Sequence, residues 1–199
     1  MSLFKLNLQE HVELMSNLEP LDAVIDKSIQ ELVQSLRNGG KVLLCGNGGS
    51  AADSQHIAAE LTGRFIKERP PLAAIALSTD TSALTCIGND YSFAEVFSRQ
   101  VRALGRVGDC LIAISTSGNS VNVLKAVADA KALGICTIGL SGRDGGILAR
   151  EADICIVVPS AVTARIQEAH ILIGHTICGG IEQGLGLVES EFAGASNVK

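Results

Sequence analysis

His56 and Glu60 lie four positions apart in the stretch CGNGGSAADSQHIAAE, which runs from Cys45 to Glu60. On an α-helix this spacing projects both side chains within about 40° of each other, one turn apart, which suits a shared metal ion or a shared substrate. The same spacing is common on solvent-facing helices, so the pair alone decides nothing. Its position adds weight, because the helix starts at the glycine-rich turn Gly46-Asn47-Gly48-Gly49-Ser50. Such a turn lets the backbone approach a ligand closely, and Ser50 is placed to cap the helix that follows. The turn is neither G-x-G-x-x-G nor a Walker loop, since no G-K-[ST] and no nearby lysine accompany it. Taken alone, it is equally consistent with a tight connection.

A second loop shifts the balance toward binding. Ser115-Thr116-Ser117-Gly118-Asn119-Ser120 places four hydroxyls in six residues, just ahead of a helix expected from Val121. Free backbone N–H groups and the helix dipole favour an anion at such a place. A capped turn explains one or two hydroxyls but not four. The predicted ligand is a phosphate ester, and the missing lysine points to a sugar phosphate rather than a nucleoside triphosphate.

The segment ARIQEAHILIGHTICGGIEQG adds Gln167, His170 and His175. Ile166, Ile171, Ile173 and Ile177 are spread around this predicted helix, so it must be largely buried and its polar residues need partners. Gln167 and His175 are separated by about 12 Å of rise and roughly 80° of rotation. They can share a target only at a point between them, which a metal ion or a second chain would supply. His170 and His11 are read as ordinary core or surface histidines.

The elements that must position these residues follow from short apolar runs. KVLLC, LAAIAL, CLIAIS, CTIGL and ICIVVP recur along the chain, most of them followed by a helical pattern. The alternation predicts a parallel sheet covered on both faces, with ligands gathering beyond the carboxyl ends of the strands. Helices are expected from about Ser50 to Leu61, Ser92 to Leu104, Val121 to Leu133, Ile147 to Glu151 and Ala164 to Gly184. Leu3 to Leu18 and Leu21 to Arg37 add helices ahead of the sheet. The expected organisation is a single α/β domain over 1–199, with a helical segment 1–38 and a frayed tail 191–199.

At 199 residues, 47% of them apolar, the chain can bury roughly two-thirds to three-quarters of its unfolded surface without staples. A formal net charge of -5 and the absence of any Lys/Arg run argue against a broad nucleic-acid or membrane surface. The six cysteines show no C-x-x-C pair or metal-type spacing, and are expected reduced and buried. MSLFKLNLQEHVELM does not have the form of a leader, and no run approaches the roughly 18 apolar residues that span a bilayer. The expectation is a soluble cytoplasmic protein.

Four blocks then carry a resemblance: LLCGNGGSAADSQHIAAELTGRF, IGNDYSFAEVFSRQVRALGRVGD, ISTSGNSVNVLKA and RIQEAHILIGHTIC. In this order and spacing, from about Leu21 to Leu187, they resemble the sugar isomerase (SIS) domain, specifically the bacterial phosphoheptose isomerases. The resemblance implies a five-stranded parallel sheet between helices, in a three-layer α/β/α sandwich. It also implies a homotetramer with active sites at subunit contacts, and conversion of sedoheptulose 7-phosphate to D-glycero-D-manno-heptose 7-phosphate for lipopolysaccharide heptose or a related glycan.

Carried over residue by residue, it implies one zinc per subunit on His56, Glu60, Gln167 and His175, with Glu60 and His175 catalytic. Asn47, Gly48, Gly49, Ser50, Asn89, Asp90, Ser115, Thr116, Ser117 and Ser120 would contact the sugar phosphate, joined by Glu60 and Gln167. Relatives that have lost the acid and the second histidine bind the replication initiator as regulators, which is the alternative function. Glu60 and His175 are both present here. The position ahead of RIQE, acidic in some isomerases of the family, is Ala164 here.

Overall fold

Val42 and Leu44 face one side of the first strand while Leu43 and Cys45 face the other, and all four are fully buried. Cys110, Ile112 and Ile114 alternate in the same way with Leu111 and Ala113 on the neighbouring strand. A strand covered on both faces has no position to give to a polar side chain, which is why these segments read as unbroken apolar runs. In this computed structural model residues 1–188 are described, so the expected tail 191–199 lies outside them.

The strands β1 (Val42–Gly46), β2 (Ala74–Ala76), β3 (Cys110–Ser115), β4 (Cys136–Gly142) and β5 (Ile154–Val158) form one sheet in the order β2-β1-β3-β4-β5. Every pairing is parallel. From β1 the chain winds outward to β2 on one side and to β3 on the other. The crevice beyond the carboxyl ends of β1 and β3 is therefore the topological switch point, where such sheets bind ligands.

One core layer unites the sheet with apolar residues of α1 (Leu3–Met15), α2 (Asp22–Arg37), α3 (Gly49–Thr62) and α8 (Thr163–Gly184). The other is made with α4 (Thr81–Asp90), α5 (Ser98–Leu104), α6 (Val121–Ala132) and the short α7 (Leu148–Glu151). The three-layer arrangement is the one expected. Four local readings need correction. The helix expected from Ser92 begins at Ser98, and a 3-10 turn over Phe93–Glu95 precedes it. Helix α4 was not foreseen, because Thr, Ser, Gly, Asn and Asp, all weak helix formers, make up most of TSALTCIGND; Asp80 caps it by accepting from the Ala83 N–H at 2.9 Å.

LAAIAL contributes only three residues to an edge strand. The cysteines are all free, as expected, but only Cys45, Cys110 and Cys178 are buried; Cys86 is exposed and Cys136 and Cys155 are half-buried. Cys86 faces out because it lies on the unforeseen α4, where its thiol donates to Asp90 Oδ2 at 3.5 Å.

Candidate active site at the sheet switch point

The loop after β1 starts α3 directly. Gly48 occupies the N-cap position with φ 56°, and Ser50 lies inside the helix, its N–H bonded to the Asn47 carbonyl at 3.0 Å. The capping role expected of Ser50 is therefore not observed: the helix begins one residue earlier and has no side-chain cap. Asn47 instead reaches across the crevice. Its amide exchanges two hydrogen bonds with that of Asn122, Nδ2 to Oδ1 at 2.9 Å and the reverse at 2.8 Å. Asn122 Oδ1 also accepts from the Val123 N–H at 3.0 Å, in the first turn of α6. The turn after β1 is thus tied to the first turn of α6 by a residue that the sequence alone did not single out. Its one signal is an asparagine in the first turn of a helix, where amides favour caps.

The loop after β3 is held in shape by its own hydroxyls. Ser115 Oγ and Ser120 Oγ lie 2.9 Å apart, and Ser117 Oγ accepts from the Asn119 N–H at 3.2 Å. Ser120 stands at the N-cap of α6 but spends its side chain on Ser115, so no side-chain cap closes this helix start. Gly118 has φ 66°, and a Cβ there would meet the Gly145 carbonyl oxygen at 2.0 Å. The loop after β4 thus presses on this turn, and the Leu148 N–H binds the Gly118 carbonyl at 2.9 Å. Thr116 and Ser117 stay half-exposed above it.

Helices α3 and α8 pack against each other and bring His56, Glu60 and His175 together, while Gln167 stays two turns of α3 away at Gly49. His56 Nε2 lies 3.2 Å from Glu60 Oε1 and 3.2 Å from His175 Nε2. These three side chains place one donor atom each within 4.8 Å of one another, a set that could hold a metal ion. The rings of His56 and His175 meet edge to face at 5.0 Å, and Phe65 stacks on His175 at 5.5 Å. Gln167 lies over the start of α3, its amide 2.2 Å from where a Gly49 Cβ would stand. A side chain at position 49 would therefore displace the Gln167 amide.

Asn89 and Asp90 are not drawn into this cluster. Both are exposed at the end of α4, where Asn89 donates to Asp90 Oδ1 at 2.8 Å. Ala164 is exposed at the start of α8. His170 is fully buried, with Nε2 3.0 Å from the Ser141 carbonyl, and His11 pairs with Glu168 at 2.8 Å. Both keep the ordinary roles assigned to them. Asp53, one turn ahead of His56, was not singled out. Burial pushes its carboxyl up, His56 opposes that, and Oδ2 is buried with no partner among the described residues. None of the described helices is long and apolar enough to cross a membrane.

Comparison with known proteins agrees with this fold. Residues 8–142 match the SIS domain. The chain is 56% identical over 174 residues to the phosphoheptose isomerase of Campylobacter concisus, covering 87% of this chain and 88% of that one. It is 57% identical over 176 residues to that of Campylobacter jejuni serotype O:6, covering 88% and 95%. The solved phosphoheptose isomerase of Neisseria gonorrhoeae superposes with a TM-score of 0.86 at 49% identity, over 90% of this chain and 97% of that one. With the SIS domain matched over most of the chain, and relatives of this identity and coverage, the chain belongs to the phosphoheptose isomerases of the SIS domain family.

Proposed function

We propose that this protein isomerises sedoheptulose 7-phosphate to D-glycero-D-manno-heptose 7-phosphate, the first step of nucleotide-activated heptose synthesis for lipopolysaccharide or a related glycan. The observation that carries the reading is the convergence of His56, Glu60 and His175 on α8 and on α3, the helix that starts at the turn after β1. Family membership supports the substrate.

The donor set fits zinc. Two imidazole nitrogens and a carboxylate oxygen are preferred zinc ligands, and a tetrahedral site with bonds near 2.0–2.1 Å has edges of about 3.3 Å. The two separations measured at His56 Nε2 are both 3.2 Å. Gln167, lying over Gly49 at the mouth of the same crevice, is the fourth candidate. Bound there, zinc would act as a Lewis acid toward the substrate carbonyl.

The chain's own groups account for the rest. Aldose–ketose exchange moves a proton between adjacent carbons through an enediol, so one group must take a carbon proton while another serves the oxygens. Glu60 meets His56 through Oε1, and its Oε2 is uncommitted among the described residues, which suits it to take the carbon proton. His175 would exchange protons with the oxygens. Ser115, Thr116, Ser117 and Ser120, at the N-terminus of α6, would hold the phosphate. Asn47, Gly48, Gly49 and Ser50 would line the sugar.

Asn89 and Asp90, exposed in the single chain, would reach substrate across a subunit contact in a homotetramer. Exposed apolar side chains on α1, among them Leu3, Phe4, Leu6 and Val12, support such assembly. The non-catalytic regulator is disfavoured, because both residues that such relatives lack are present and converge. A cytoplasmic location accords with the substrate. The test is direct: purified protein is incubated with sedoheptulose 7-phosphate and the aldose phosphate is followed by NMR. Absence of aldose overturns the assignment.

A further inference from the structure

We propose that Arg69 is a positioning residue of this site, tying the end of α3 that carries Glu60 to the helix α8 that carries His175. The inference rests on the reading that these two helices hold the metal and the reacting groups. Arg69 lies between α3 and β2, outside every motif that the sequence analysis used. Its guanidinium and the carboxylate of Glu182 are each only 1% exposed.

Of the five hydrogen bonds of this guanidinium, three reach the C-terminal end of α3, one the adjacent Pro70 carbonyl and one α8. Nη2 donates to the Glu60 carbonyl at 2.6 Å, and Nη1 donates to the carbonyls of Leu61 at 2.7 Å, Gly63 at 3.0 Å and Pro70 at 3.1 Å. The last carbonyls of a helix have no partner of their own, and a cation there is favoured by the helix dipole. The backbone of the candidate base is therefore held by Arg69 directly. Nε donates to Glu182 Oε1 on α8 at 2.8 Å. The same oxygen accepts from the Phe65 N–H at 3.1 Å, and the Phe65 ring stacks on His175. One ion pair thus touches the supports of both Glu60 and His175.

A buried ion pair is a poor source of stability, because the cost of desolvation offsets its attraction; an apolar pair of similar volume often does as well. What it adds is direction. The helices already pack closely, with Ile57 2.6 Å from where a Gly174 Cβ would stand, and the ion pair adds a directional tie beyond that contact, at the end of α3. A slide of about 1 Å is enough to misplace reacting groups. Lysine could keep the charge opposite Glu182 but could not span four carbonyls, since only a planar fork presents donors in that array.

The experiment compares wild type with the double variant Arg69→Met/Glu182→Met, which leaves no orphaned charge, with Arg69→Lys and Glu182→Gln, and with Val127→Ala. Val127 is buried in the opposite core layer and serves as the stability control. Zinc affinity is read by competition with a chromophoric chelator, and loss on the order of ten- to a hundred-fold is expected in the double variant, the scale of lost support behind metal ligands. Its kcat should fall by a similar factor, with KM for the sugar phosphate little changed. The ring-proton NMR lines of His56 and His175 should move in the metal-free protein. Val127→Ala should change none of these.

Arg69→Lys should regain melting temperature but not zinc affinity, and it carries the test with Glu182→Gln if the double variant does not fold. Wild-type zinc affinity, kcat and histidine lines in a folded Arg69 variant overturn the proposal, as does equal loss in Val127→Ala. Should wild type itself take up no zinc, the functional reading fails, and the histidine lines alone decide whether Arg69 positions these rings.

Discussion

His56 and His175 present their Nε2 atoms to each other at 3.2 Å, although 119 residues separate them in the chain. Two ring nitrogens at this distance must share one proton or a cation between them, since two ring N–H groups would oppose each other. With Glu60 Oε1 3.2 Å from His56 Nε2, the three side chains form a set that could hold a metal ion.

Replacing Glu60 by Gln keeps the shape and removes the base. The expected result is a fall in kcat on the order of a hundred- to ten-thousand-fold, the usual contribution of a positioned proton-transfer group, with the fold retained by circular dichroism. Full activity in the variant would remove Glu60 from that role.

The phosphate cradle predicts a different signature. Ser117→Ala and Ser120→Ala should each weaken substrate binding by about 1 to 2 kcal/mol, the scale of a hydrogen bond to a charged group. Some loss of kcat should accompany the rise in KM, because remote binding also orients the reacting carbons. Comparison of sedoheptulose with its 7-phosphate is decisive: mutants that lose no discrimination between the two place the phosphate elsewhere.

Gly49→Ala separates function from stability. The added methyl would stand 2.2 Å from Gln167 Nε2, the far end of a flexible side chain, so Gln167 must leave its place while the helix tolerates or gains from alanine by up to about 1 kcal/mol. Activity should drop at least about tenfold, the lower bound for loss of a metal-supporting group, with the melting temperature unchanged or raised. Unchanged activity would exclude Gln167 from the site.

His170 gives the fold a pH dependence. Burial holds its imidazole below the ordinary value of 6.5, with the Ser141 carbonyl opposing. Above that value both folded and unfolded states are neutral and the contribution is fully present. Below it the unfolded chain takes up a proton that the folded core resists, so stability is lost as pH falls toward the folded pKa. His170→Gln, which can still donate to Ser141, should flatten the decline in denaturation midpoint between pH 7 and pH 5.5. An identical slope in the variant would assign the decline to other groups.

The sheet was legible in the sequence because doubly covered strands leave unbroken apolar runs, and the loop after β3 stood out because four hydroxyls exceed what a capped turn needs. His56 and Glu60 were legible as a local helical pair; their meeting with His175 was implied only by the family resemblance, since it depends on how α3 crosses α8. The amide pair of Asn47 and Asn122 and the clamp of Arg69 on Glu182 bridge 75 and 113 residues, and no periodicity encodes them. Helix α4 escaped because its residues are mostly weak helix formers, and the Asp80 cap and packing hold it.

The central claim is tested most directly by turnover of sedoheptulose 7-phosphate with protein stripped by a chelator and then reloaded. The account predicts aldose formation by the protein as purified, loss after stripping, recovery with one equivalent of zinc per chain, and no recovery in His175→Ala. No turnover by the zinc-loaded protein, or full turnover after complete stripping, would contradict it.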